Sequence, residues 1–131
     1  MELTRTRRSA KLLALRGLSL VLGFWFIGSG MTKLLSVESQ VANFARWGYP
    51  DWFRFLTGAI ELTAAALLLV SSVSGRVATL GAALIACVMC GALYTRIAND
   101  EPLSTIIPPA ILLLVAALIA WFRRDEMLAR P

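Results

Sequence analysis

Residues 52–70 read WFRFLTGAIELTAAALLLV. Arg54 near the start and Glu61 near the middle are the only charged residues in an otherwise apolar stretch. A helix built on it is long enough to cross the hydrocarbon core of a bilayer, which takes roughly 20 apolar residues. At 1.5 Å per residue from Trp52, Glu61 then lies about 13 Å below the start of the helix. A carboxylate at that depth is costly, so it is expected to face a bundle interior, a cavity or a cationic partner rather than lipid.

Three further apolar runs surround this one. The first extends from about Leu12 to Leu35, the third from about Arg76 to Ala98, and the fourth from about Leu103 to Phe122, with the second spanning Trp52 to Ser71. The chain has 131 residues, 58% hydrophobic and 16% charged, with a mean hydropathy of +0.72. A soluble domain of this size leaves too much of its surface exposed to hide that much apolar material. The runs lack the alternation of a barrel strand, so helices remain. The expected fold is all-α, a single integral-membrane four-helix bundle of up-down-up-down order. Short connections, Ser71–Gly75 and Asn99–Pro102, make successive helices antiparallel neighbours.

Between the first two spans, Val37, Val41, Phe44 and Gly48 follow a helical period, with Gln40, Asn43 and Arg46 opposite. This predicts a short interfacial helix capped by Ser36 and stopped by Gly48. Trp47, Tyr49, Trp52 and Phe53 form an aromatic belt typical of a membrane boundary. Pro50 disfavours helix at Tyr49, and Asp51 is placed to cap the second span. Gly23, Gly28, Ser29 and Gly30 permit close approach of a neighbouring helix. Pro108 and Pro109 lack amide protons, which predicts irregular or kinked backbone from Ser104 to Pro109.

The net charge of +5 does not signal nucleic acid, because the basic residues crowd the ends of the apolar runs. The N-terminal run lacks a small-residue cleavage pattern and is read as a retained first helix. If the N-terminus is cytoplasmic, nine of the thirteen basic residues (Arg5, Arg7, Arg8, Lys11, Arg16, Arg76, Arg123, Arg124 and Arg130) share its side. Lys33, Arg46, Arg54 and Arg96 lie opposite. The positive-inside rule then puts both termini of this multi-pass protein in the cytoplasm.

The candidate ligand-binding residues are Glu61, Lys33, Arg54, Thr57 and Tyr94. Arg54 and Thr57 precede Glu61 by seven and four residues and share its face. Lys33 and Tyr94 come from outer helix ends. The alternative is a polar staple that fixes helix register. Cys87 and Cys90 form a C-x-x-C within one apolar helix, away from the helix N-terminus that activates redox thiols. Inert packing is the expectation, with a redox role as the alternative. The chain has no histidine, and one carboxylate with two thiols makes an incomplete metal site, so none is expected.

Gly30-x-x-Lys33-Leu34, Gly48-Tyr49-Pro50 and Gly58-x-x-Glu61, in this order and spacing, resemble the DoxX/DoxX-like family of small four-helix membrane proteins. The resemblance covers roughly Leu18 to Ala98. It implies a choice of roles, since some relatives are membrane subunits of thiosulfate:quinone oxidoreductase, others are linked to thiol and oxidative-stress systems, and distant animal relatives assist receptor assembly. The leading expectation is an accessory or redox-linked subunit that binds a small amphiphile, a quinone or a lipid, in the outer half of the bundle. The rival is a non-catalytic assembly factor whose outer aromatic loop grips a partner membrane protein. Association with further copies of the chain stays open. A transporter ranks third, because four helices leave little room for alternating access. An outer cavity bordered by Glu61 favours the first reading, and a closed bundle with an exposed groove at Trp47, Trp52 and Phe53 favours the second.

Overall fold

The computed structural model describes residues 2–70 and 75–128, with side chains described as far as 124. It contains α1 (Glu2–Leu34), α2 (Glu38–Arg46), α3 (Asp51–Leu69), α4 (Gly75–Ala98) and α5 (Leu103–Leu128). Among the described residues there is no strand, and α1, α3, α4 and α5 are each long and apolar enough to cross a membrane. The protein is a helical membrane bundle. The Ser71–Ser74 part of the expected α3–α4 connection lies outside the described residues, as does Arg130.

Helix α1 starts some ten residues before the apolar run does. The segment from Glu2 to Lys11 contains three Arg with Glu2, Leu3, Ala10 and Lys11, all good helix formers, and no Gly or Pro, so nothing ends the helix at the membrane surface. At 33 residues α1 is about 50 Å long, well beyond the roughly 30 Å hydrocarbon core. Helix α5 likewise continues past Arg124 to Leu128. It is also helical without interruption through Pro108 and Pro109, which corrects the expectation of irregular backbone there. The amide bonds these prolines forgo are those to the carbonyls of Ser104 and Thr105, in the first turn of the helix. The loss therefore falls near the helix end rather than at mid-membrane depth, where it is costly.

Helix α1 packs chiefly on α3, and α4 on α5. Helices α3 and α4 join the two pairs, and α1 touches α5 only slightly. The α1–α3 seam depends on glycine. A Cβ on Gly30 would stand 2.9 Å from the Gly58 carbonyl oxygen, and one on Gly58 would stand 3.0 Å from the Gly30 oxygen. Gly23 faces Leu69 and Ala65 in the same way, whereas Gly28 has open space. On the α3–α4 seam a Cβ on Gly81 would lie 2.9 Å from the Ala64 oxygen. The core consists of Leu22 and Phe26, Ala64, Ala65 and Leu68, Ala82, Ile85 and Met89, and Ala116 and Ile119. These residues lie at mid-depth and toward the end of the bundle where α1 begins and α5 ends. The opposite end, which carries α2, is packed differently.

Helix α2 is set between two left-handed residues, Ser36 (φ 57°) and Gly48 (φ 81°). Ser36 ends α1 rather than capping α2, whose N-cap is Val37, and Pro50 rather than Asp51 occupies the N-cap of α3. Phe44 is the buried residue of α2. Its ring lies 5.3 Å from Trp47, 6.1 Å from Tyr49 and 6.3 Å from Phe53. The aromatic belt is thus divided: Trp47, Tyr49 and Phe53 turn inward around Phe44, while Trp52 stays 64% exposed.

Candidate functional site

Ser29 and Lys33 are separated by four residues and share one face of α1 near its C-terminal end. Glu61 meets them from α3. Its side chain leans toward the helix N-terminus, as helical side chains do, and so toward the α2 end of the bundle. Lys33 Nζ lies 3.1 Å from Glu61 Oε2 and donates to Ser29 Oγ at 3.0 Å. The Ser29 hydroxyl in turn donates to the same Glu61 oxygen at 3.0 Å. The three groups form a closed triangle, with Glu61 1% and Lys33 8% exposed. Two charges taken out of water in this way are tolerable only when each compensates the other.

The remaining candidates have different places. Arg54 is buried, but it does not reach Glu61. Its Nη1 donates to the Lys33 carbonyl oxygen and, at 3.0 Å, to Ser36 Oγ, while Nη2 lies 3.7 Å from Asp51. Arg54 thus holds the C-terminal end of α1, where orphan carbonyls favour a cation. Thr57 turns its hydroxyl back to the Phe53 carbonyl at 2.8 Å. Tyr94 stands 72% exposed on α4.

Ser29, Lys33, Thr57, Glu61 and Tyr94 border a cavity of about 540 Å³ at the α2 end, between the α1–α3 and α4–α5 pairs. Glu61, Lys33, Ser29 and Thr57 contribute to it from the α1–α3 side, and Val88, Tyr94, Thr95 and Pro109 from the α4–α5 side. Phe44 of α2 and Trp47 just after it close it off, together with Tyr49 and Phe53. Arg54 is not among the lining residues. The cavity is not sealed by protein, since Trp25 (60% exposed) and Leu56 (47% exposed) line it and also face the surroundings. Its size is that of an ordinary small-molecule site, with a few polar groups in an otherwise apolar and aromatic lining.

Two ties fasten the α2 segment across the cavity. The Tyr49 and Thr95 hydroxyls lie 2.7 Å apart. Glu101, in the α4–α5 turn, accepts from Arg46 at 2.7 Å and from Arg96 at 3.4 Å. The Arg96 guanidinium also lies over the Trp47 ring, 5.2 Å from its centroid.

Cys87 and Cys90 are both exposed, not packed inside as expected. Helix α4 is apolar around its whole circumference, so the sequence does not mark which face turns inward. Cys87 lines the cavity together with Glu61. Among the described residues no group of three or more His, Cys, Asp or Glu side chains could hold a metal ion.

From sequence Ser29 is a residue of the helix seam and Arg96 one of the polar residues at the outer helix ends, and the pairing of Arg46 and Arg96 with Glu101 is not legible there. The i, i+4 spacing of Ser29 and Lys33 is the signal that Ser29 faces the site as well as the helix seam. No comparable local signal joins Arg46 to Glu101, which are 55 residues apart.

The sequence profile of the DoxX-like family matches residues 17–119. The chain belongs to that family. The matched region holds every residue that lines the cavity and leaves out residues 1–16 and 120–131. No curated protein and no solved structure matched. The DoxX-like assignment therefore brings a family and a membrane bundle, and the reading of the site rests on its own geometry.

Proposed function

We propose that this DoxX-like protein binds a small amphiphile, a quinone or a lipid, in the cavity at the α2 end, as an accessory or redox-linked subunit of a bacterial inner membrane. The observation that carries this reading is a cavity of about 540 Å³ that combines a buried ion pair with apolar walls and incomplete lateral closure. The head group meets Lys33, Ser29 and Glu61, and the apolar part lies along Phe26, Val88 and Leu112. The assembly-factor reading draws on an exposed aromatic groove, and Trp47 and Phe53 face the cavity instead. Both termini face the cytoplasm under the positive-inside rule, which puts the cavity in the outer half of the membrane.

Purification in mild detergent, followed by mass spectrometry of bound quinones, lipids and proteins, tests the proposal. The wild-type protein is expected to retain a near-stoichiometric amphiphile. Ala92→Phe, which adds bulk to a cavity-lining position, is expected to stay folded and lose it. Glu61→Gln is expected to assemble but to bind and function poorly, whereas a mere polar staple would leave function intact. A wild-type protein that carries no amphiphile and takes up none on titration would refute the reading.

A further inference from the structure

We infer that the head group of the bound amphiphile carries no net charge, an inference that rests on the amphiphile-binding reading above. The fixed charges that line the cavity are already matched. Lys33 is paired with Glu61 at 3.1 Å, and Arg96 with Glu101 at 3.4 Å. Lys33 spends two of its three ammonium protons, on Ser29 Oγ and Glu61 Oε2. Both contacts made to the carboxylate use Oε2, and Oε1 takes part in neither. The triangle therefore offers one donor beside one acceptor, which complements a hydroxyl or a hydroxyl–carbonyl group.

A carboxylate or phosphate head would have to share Lys33 with Glu61, placing two anions around one cation in a site removed from water. A quaternary ammonium head would compete with Lys33 for Glu61. Either leaves a buried charge without full compensation, the costly case for ion pairs in apolar surroundings. A neutral head avoids both conflicts and so gains at least about tenfold in affinity over an ion with the same tail. The opposing feature is the pair Arg46 and Arg96, which share the single carboxylate of Glu101. Arg46 is, however, largely exposed, and Arg96 is also engaged with the Trp47 ring.

Cys87 supplies the readout, because it lines the cavity and is exposed. In a Cys90→Ala background it is the only thiol, since the chain has two cysteines. The full-length protein in phosphatidylcholine nanodiscs is labelled with N-ethylmaleimide in the presence of 12-carbon amphiphiles at equal mole fraction. The probes are monododecanoylglycerol (neutral), dodecanoate (anionic) and dodecyltrimethylammonium (cationic). The neutral probe is expected to slow labelling several-fold more than either ion. Glu61→Gln leaves Lys33 unmatched and should shift the preference to dodecanoate; Lys33→Met should shift it to the cation. The Lys33→Met/Glu61→Gln double variant should return it to the neutral probe, which keeps the test decisive if a single variant fails to fold. Protection of the wild type by dodecanoate or the cation equal to that by the neutral probe overturns the inference and leaves amphiphile binding standing. Protection by none of the three overturns the amphiphile reading and this inference with it.

Discussion

Replacing Lys33 by Met removes one half of an ion pair whose other half, Glu61, is 1% exposed. At the 3.1 Å separation, an effective dielectric constant of about 20 gives a gross attraction of about 5 kcal/mol. Desolvation of the two ions consumes most of that, so the intact pair contributes little net stability. Breaking it is another matter. The single variants Lys33→Met and Glu61→Gln should each lose about 3–5 kcal/mol, because each leaves a buried charge without its partner. The double variant, with a neutral Met beside a Gln that Ser29 can still hydrogen-bond, should lie within about 1 kcal/mol of the wild type. The assay is equilibrium unfolding in mixed micelles followed by helical circular dichroism, run as a double-mutant cycle. Losses that simply add, or a Lys33→Met loss under about 1 kcal/mol, would show that the two groups are not a desolvated pair and would remove the basis of the site.

The glycine seam predicts a contrast within one helix. Gly30→Ala, and Gly58→Ala on the facing helix, should each cost about 1–3 kcal/mol by overpacking, while Gly28→Ala, with open space, should be neutral or up to about 1 kcal/mol stabilising in the same assay. Arg54→Met should cost about 2–3 kcal/mol by freeing the Lys33 carbonyl and Ser36, and should leave amphiphile binding within about twofold, as mass spectrometry of bound ligand would report. Reporter fusions should place both termini in the cytoplasm, and either terminus found outside would turn the cavity toward the inner leaflet.

What could be read from the sequence follows from where the physics is local. Four spans are plain because uncharged runs of that length have few other fates. The burial of Glu61 beside a cation follows from the cost of leaving a carboxylate in lipid. Its partner was among the candidates because Lys33 ends the preceding span. Arg54 was harder to place. It shares a face with Glu61, but at seven residues' remove it sits at the helix end, where the α1 carbonyls claim it first. The exposure of Cys87 and Cys90 is not legible because α4 carries no polar stripe to orient it. Helix α5 stays unbroken through the proline pair because the position of a lost hydrogen bond along the helix matters as much as its loss. Contacts such as Arg46–Glu101 and Tyr49–Thr95 join distant segments, and only the assembled bundle reveals them.

Residue 33 is held in two independent ways. Its side chain meets Glu61, while Arg54 grips its main-chain carbonyl, a group that every amino acid supplies. Architecture and chemistry are thus divided within a single residue. The side chains at 33 and 61 should therefore be exchangeable together, for an apolar pair or for one of reversed charge, without loosening the clasp that Arg54 makes between α1 and α3. Under the proposed amphiphile-binding reading, the bundle serves as a chassis whose cavity is retuned at two positions, so that proteins sharing this scaffold need not share a ligand.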